Sequence, residues 1–186
     1  ALKTGQNQIF LSASKTQAYV FRKYIIAFAR LVDVDLSGDP IVIGNNGAEL
    51  IFLGTNSNTA QSHNGDLYVD EIFWIPNFQK LRKVASGMAS QSHLRTTYFS
   101  TPSTLAHGAY PFWSGELFNR GRSNRDERVD IDISHQALAG GMLCGDGQWR
   151  QIVTIEDALA GGCTLFNLDQ LRQENSADDF RNLFMC

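Results

Sequence analysis

Apolar and polar positions alternate along this chain in blocks that predict strands and helices in turn. Residues 8–12 (QIFLS) form a short β-prone run. Ser14 follows as a helix N-cap, and Ala18, Phe21, Ile25, Phe28, Ala29 and Val32 recur at helical spacing behind it. Two further apolar runs, residues 40–43 and 48–53, flank Gly44-Asn45-Asn46-Gly47. That turn chemistry predicts two adjacent strands joined by a tight connection. Residues 55–65 (TNSNTAQSHNG) read as a polar loop leading into the buried strand Asp66-Leu67-Tyr68-Val69. A helix over residues 78–88 with Asn77 as its cap, then a strand over 96–100 stopped by Thr101-Pro102, complete the first part. Strand, helix and strand in succession favour a mostly parallel sheet flanked by helices, an α/β fold.

The pattern changes near Ala106. An aromatic-rich segment, residues 110–118, precedes a charged loop at 121–128 and the alternating Val129-Asp130-Ile131-Asp132-Ile133, which predicts a strand with one wet face. Thr154 caps a helix carrying Glu156 and Asp157 in its first turn and stopped by Gly161-Gly162. Residues 168–171 and 176–184 read as two short helices. At the start, residues 1–4 read as a last helical turn ended by Gly5, so both ends look like cuts in a longer chain. A chain of 186 residues fits one domain by default, with its organisation changing between residues 1–105 and 106–186.

Composition narrows the function classes. A formal net charge of -3 over 186 residues gives no global basic field, so nucleic-acid contact has to be local. Arg120, Arg122, Arg125 and Arg128 are interleaved with Asp126 and Glu127, which favours a solvated loop over a phosphate-binding patch. Cys144, Cys163 and Cys186 form no CxxC pair, which suits a reducing, cytoplasmic setting. His63, His93, His107 and His135 lack metal-ligand spacing with them, so no zinc site is expected. No apolar run approaches a membrane span. The aromatics Phe73, Trp74, Phe112, Trp113 and Phe118 are assigned to packing.

The chemistry concentrates at Leu67-Tyr68-Val69-Asp70-Glu71. An apolar strand ending in two acids brings carboxylates to the carboxyl edge of an open α/β sheet, where ligands bind. One can hold magnesium and the other can orient or deprotonate a water, because neighbouring residues at a strand end point in different directions. The same five residues also suit two acids that merely close a strand. A second strand ending Ser100-Thr101-Pro102 after one helix tips the balance, since ATP-driven translocases carry a small hydroxyl-bearing motif there.

With the wording QIFLSAS, GAELIFLGTNS, LYVDEIFWIPNF and YFSTPS, the chain resembles the terminase large subunits of tailed temperate phages along nearly its whole length. The resemblance implies an ASCE-type P-loop ATPase core lacking its first, Walker-A strand, with ATP and Mg2+ as cofactors. Asp70 would be the metal-holding Walker-B aspartate, Glu71 the catalytic residue, and Ser100, Thr101 and Pro102 the coupling motif. Residues 106–186 would be the rest of the ATPase domain and a linker subdomain, with a nuclease domain after Cys186. The implied partners are double-stranded DNA, a terminase small subunit, the portal and procapsid, and further copies in a ring within the host cytoplasm.

Two departures bear on this. No GxxxxGK[ST] loop occurs in the 186 residues, so the Walker-A lysine is expected upstream of Ala1 and the chain alone is expected to be inactive. Where many terminases carry an arginine before the Walker-B strand, Thr59-Ala60-Gln61-Ser62 has Gln61. Arg82 and Arg95 remain weaker candidates for a phosphate or trans contact, as does Arg120. A helicase-like ATPase and a non-catalytic scaffold module are the competing function classes.

Overall fold

A computed structural model describes residues 1–55 and 62–186, and it divides into two compact units, Ala1–Ser100 and Thr101–Cys186. The first unit is built on a sheet of β1 (Gln8–Ser12), β2 (Ile41–Val42), β3 (Glu49–Gly54), β4 (Asp66–Asp70) and β5 (Thr96–Phe99). Their spatial order is β2-β3-β1-β4-β5. β1 pairs in parallel with β3 and β4, and β4 with β5; only the two-residue β2 runs antiparallel, against β3. The mostly parallel α/β sheet is thus present, and the Asn-Gly turn joins β2 to β3 as its residues predict.

Register decides the two faces. Phe10 sits opposite Phe52 and Tyr68, and all three rings stack at centroid distances of 5.2 and 5.0 Å. Helix α1 (Lys15–Arg30) covers this face through Ala18, Phe21, Ile25 and Ile26, with Phe21 stacked on Phe10 at 5.4 Å. Each such ring pair adds roughly 0.5–1.5 kcal/mol beyond the area it buries. The opposite face carries Ile9, Leu11, Ile51, Leu67 and Val69, all essentially buried. Helix α2 (Phe78–Met88) covers it with Phe78, Leu81, Ala85 and Met88, and Phe78 meets the Tyr98 ring edge-on.

Ser14 caps α1 through a capping box with Gln17, as its position predicts. One expectation about a helix cap changes. Asn77 makes no side-chain cap bond to α2. On α1 the apolar periodicity spans more than the core face: Val20, Tyr24 and Phe28 form a second, exposed stripe, with Phe28 65% accessible, while Val32 lies past the end of the helix and is exposed too.

The second unit is made of short elements: α3 (Tyr110–Trp113), α4 (Glu116–Asn119), α5 (His135–Leu138), the hairpin β6 (Met142–Leu143) and β7 (Trp149–Arg150), α6 (Ile155–Ala160), α7 (Leu168–Glu174) and α8 (Ala177–Phe180). Thr154 caps α6 through a capping box with Asp157, as expected. The helix predicted over 168–171 runs on to Glu174, and a π turn over Arg181–Met185 follows α8.

The strand predicted at residues 129–133 does not form. The Asn119 side chain takes its place as a partner, donating to the Val129 carbonyl at 2.8 Å and accepting from the Val129 N–H at 3.0 Å. The alternation survives only as sidedness: Val129 and Ile131 pack over Gly115, where a Cβ would stand 2.7 Å from the tip of the Ile131 side chain. Once a side chain satisfies the backbone, an alternating pattern no longer requires a neighbouring strand.

A buried ion pair anchors the hairpin. Arg150 is 3% accessible, meets Asp146 at 2.6 and 2.7 Å, and donates to the carbonyls of Phe112 and Trp113. Burial pushes the Asp146 carboxyl up, yet the hydrogen-bonded Arg150 guanidinium overrides this and holds it below the usual carboxylate range. A carboxyl depressed in the folded state adds stability that is present above its unfolded pKa and is lost as pH falls through its folded one. Arg150→Met, which strands the Asp146 charge, is expected to cost about 3–5 kcal/mol in denaturant unfolding at neutral pH. Part of that loss should be recovered as acid neutralises Asp146, a trend opposite in sign to the wild-type pair; an equal loss at every pH would refute the assignment.

Candidate functional site at the carboxyl edge of the sheet

Because β1, β3, β4 and β5 run in the same direction, their last residues gather along one edge. Ser12 lies opposite Gly54, Leu11 opposite Val69, and Asp70 opposite Phe99. Successive residues on a strand point to opposite faces, and this parity sorts the polar groups. Ser12 and Asp70 fall on the α1 face of neighbouring strands, and the Ser12 hydroxyl donates to Asp70 Oδ2 at 2.7 Å. Glu71 and Ser100 fall one step further on, on the other side, and the Ser100 hydroxyl donates to Glu71 Oε2 at 3.0 Å. The two adjacent carboxylates are thereby held apart, one by each flanking strand.

The backbone helps to separate them. Glu71 adopts φ 54° and ψ 47°, the left-handed region that a non-glycine residue enters at a cost of roughly 1–2 kcal/mol. A 3-10 turn (Ile72–Trp74) follows at once, closed by the Trp74 N–H bonding the Glu71 carbonyl at 2.9 Å. Buried Ile72 and Ile75 anchor that turn and offset the strain. The Phe73 N–H donates to the Ser100 Oγ at 3.2 Å, so one hydroxyl links the turn, the Glu71 carboxylate and the end of β5.

Burial raises the Asp70 carboxyl above its ordinary value, the Ser12 hydrogen bond works against this, and the nearby Glu71 charge adds to the rise. Such a shift marks a carboxylate whose charged form lacks its full complement of positive partners. Magnesium keeps several waters and takes only one or two protein carboxylates beside its phosphates. A half-buried Asp at a strand end, with one oxygen already fixed by a hydroxyl, fits that requirement. Among the described residues no cluster of three or more His, Cys, Asp or Glu side chains could hold a metal ion.

Thr101 and Pro102 continue from Ser100 into the second unit. Gln61 lies outside the described residues. Arg82 sits on α2, its charge facing the Tyr98 phenol. Arg95 precedes β5 at the amino edge of the sheet, its N–H bonding Asp66, about 16 Å of strand away from Ser100. The structure does not bring Arg95 to the carboxylate pair. Arg120 follows α4 and is exposed. In the arginine-rich loop, Arg122 is turned inward, donating to the Phe118 carbonyl and lying 3.4 Å over its ring. Of the aromatics assigned to packing, Phe112 is buried, but Trp74 is 53% accessible and does not belong to the core. Ser12 was missed by the sequence reading, because nothing in the chain distinguishes it from Ser14 until the register of β1 on β4 is known.

An Asp whose folded pKa is raised costs stability at neutral pH and regains it as pH falls through that folded value. Asp70→Asn keeps an oxygen acceptor for Ser12 while removing the charge. In nucleotide-free, metal-free protein at neutral pH it should raise the melting temperature by roughly 1–3 °C. A clear drop would mean that the Asp70 charge is paired in the apo state after all.

Residues 1–186 match in full the family model described as "Terminase large subunit, T4likevirus-type, N-terminal". The chain is 87% identical over 186 residues to the "Terminase, ATPase subunit" of Escherichia phage P2, an alignment covering 100% of this chain and 32% of that protein. It is 50% identical over 188 residues to the "Probable terminase, ATPase subunit" of Haemophilus phage HP1 (strain HP1c1), covering 100% of this chain and 31% of that one. No solved structure matches it significantly. The chain spans about a third of the length of these relatives. With the family model matching all 186 residues, the chain belongs to the terminase large subunit family.

Proposed function

We propose that these residues are the Walker-B and coupling part of an ATP-hydrolysing motor subunit that drives double-stranded viral DNA into a procapsid. The observation that carries the reading is the split pair at the carboxyl edge, with Asp70 held from β1 by Ser12 and Glu71 held from β5 by Ser100. The names of the phage P2 and HP1 relatives, both ATPase subunits, support it.

In this reading Asp70 holds Mg2+, which when bound with ATP supplies charge neutralisation at the β- and γ-phosphates. Glu71 takes the proton of the attacking water; that oxygen bonds the γ-phosphorus as the bond to the bridging oxygen breaks, leaving ADP and inorganic phosphate. A carboxylate accepts a stronger hydrogen bond than a carboxylic acid does. Proton uptake by Glu71 therefore weakens its bond from Ser100, and Ser100 is where the chain passes from the first unit to Thr101 and Pro102 of the second. Local chemistry becomes a change in how firmly that junction is held.

The 186 residues contain no GxxxxGK[ST] loop, so the lysine and amides that cradle phosphate come from other residues of the whole subunit. The isolated chain is inactive in this reading, and the nuclease activity of the family also resides elsewhere. A small subunit, a portal and further copies in a ring are the partners, and the host cytoplasm is the site of action. Among the described residues no helix is long and apolar enough to cross a membrane.

Glu71→Gln in the whole subunit is expected to lower DNA-stimulated ATP hydrolysis by about 10²-fold or more while nucleotide binding is retained. Ser100→Ala should retain more hydrolysis than Glu71→Gln but move less DNA per ATP consumed. Full turnover by Glu71→Gln would remove Glu71 from the mechanism and the proposal with it.

A further inference from the structure

We propose that Ser12, at the end of β1, is a positioning residue for the cation held by Asp70, fixing the carboxylate in the one orientation that presents Oδ1 to the metal. The inference rests on the Walker-B reading above and adds to it a residue from a different strand.

Ser12 is fully buried, so its hydroxyl has no access to bulk water and must be satisfied by protein. Its Oγ donates to Asp70 Oδ2 at 2.7 Å, a short bond of the charge-assisted kind. The backbone beneath it is fixed on both sides. The Ser12 carbonyl accepts from the Thr55 N–H at 3.1 Å, and the Thr55 hydroxyl donates to the Ala13 carbonyl at 3.0 Å. Alongside, Gly54 lies so close to the first turn of α1 that a Cβ there would stand 2.7 Å from the Lys15 nitrogen. The donor is therefore held in place, and the Asp70 carboxylate is tied to a fixed partner.

The neighbouring serine shows that this is a distinct task. In Ser12-Ala13-Ser14, the Ser14 side chain caps α1 in its box with Gln17, whereas the Ser12 side chain turns to the face where Asp70 lies. A carboxylate left to itself samples several rotamers, and one that must bind an octahedral ion through a single oxygen loses affinity for each alternative. Hydrogen-bonding partners behind metal ligands are worth on the order of 10–100-fold in metal affinity.

The test uses the whole ATPase subunit with a non-hydrolysable ATP analogue, and reads Mn2+ binding by electron paramagnetic resonance alongside the melting temperature of the metal-free protein. Ser12→Ala should weaken Mn2+ binding on the order of tenfold. The same substitution in an Asp70→Asn background should add nothing. Ser12→Cys, which nearly keeps the volume and replaces a strong donor with a weak one, should lose Mn2+ affinity while melting close to wild type. If Asp70→Asn alone leaves Mn2+ affinity intact, the Walker-B assignment fails and this proposal with it. If Asp70→Asn weakens the metal but neither Ser12 variant does, or if Ser12→Ala is equally costly without the Asp70 carboxylate, Ser12 has no part in positioning and only the proposal made here is overturned.

Discussion

Everything at the carboxyl edge depends on one constraint, the parallel register of β4 between β1 and β5. Aligning Leu11 with Val69 and Asp70 with Phe99 sets Ser12 beside Asp70 and Ser100 beside Glu71. Slipping either strand by one residue would turn its terminal serine to the wrong face. The register is itself enforced by the core: Ile9, Leu11, Leu67 and Val69 are buried on one side, and the Phe52–Phe10–Tyr68 ring stack fills the other. The packing that stabilises the sheet also holds the site, so neither can be altered alone.

Much of the first unit was legible in the chain. The apolar blocks at 8–12, 48–53 and 66–69 and the helix at 78–88 are long or periodic enough that tertiary contacts confirm what local pattern dictates. Asp70 and Glu71 were legible for the same reason, as acids closing a buried strand. What was not legible is pairwise: which hydroxyl meets which carboxylate follows from register, and register leaves no mark in a single strand. Hence Ser100 could be singled out only by its motif, and Ser12 not at all.

The second unit was harder to read because its elements are short and its satisfaction is local. Residues 129–133 alternate like a strand, yet Asn119 supplies both of the bonds that a partner strand would have given Val129. The Asp146–Arg150 pair was invisible as well: four residues apart, in a hairpin rather than a helix, it draws its worth from the Phe112 and Trp113 carbonyls nearly forty residues earlier. The helix α1 formed as its spacing predicts, yet Tyr24 and Phe28 obey helical periodicity while facing solvent. Periodicity identifies a helix and an apolar face, but it does not count how many faces are covered.

The turn that follows Glu71 carries an indole. Trp74 closes the same 3-10 turn whose first carbonyl belongs to Glu71 and whose Phe73 amide is tied to Ser100, and its ring stands half in water. Trp74 stands three residues after Glu71 in the chain and within the turn that Glu71 opens. The chain thus has an intrinsic fluorophore mounted next to the two acids, and the colour and quenching of its emission offer an optical record of their state without any added label.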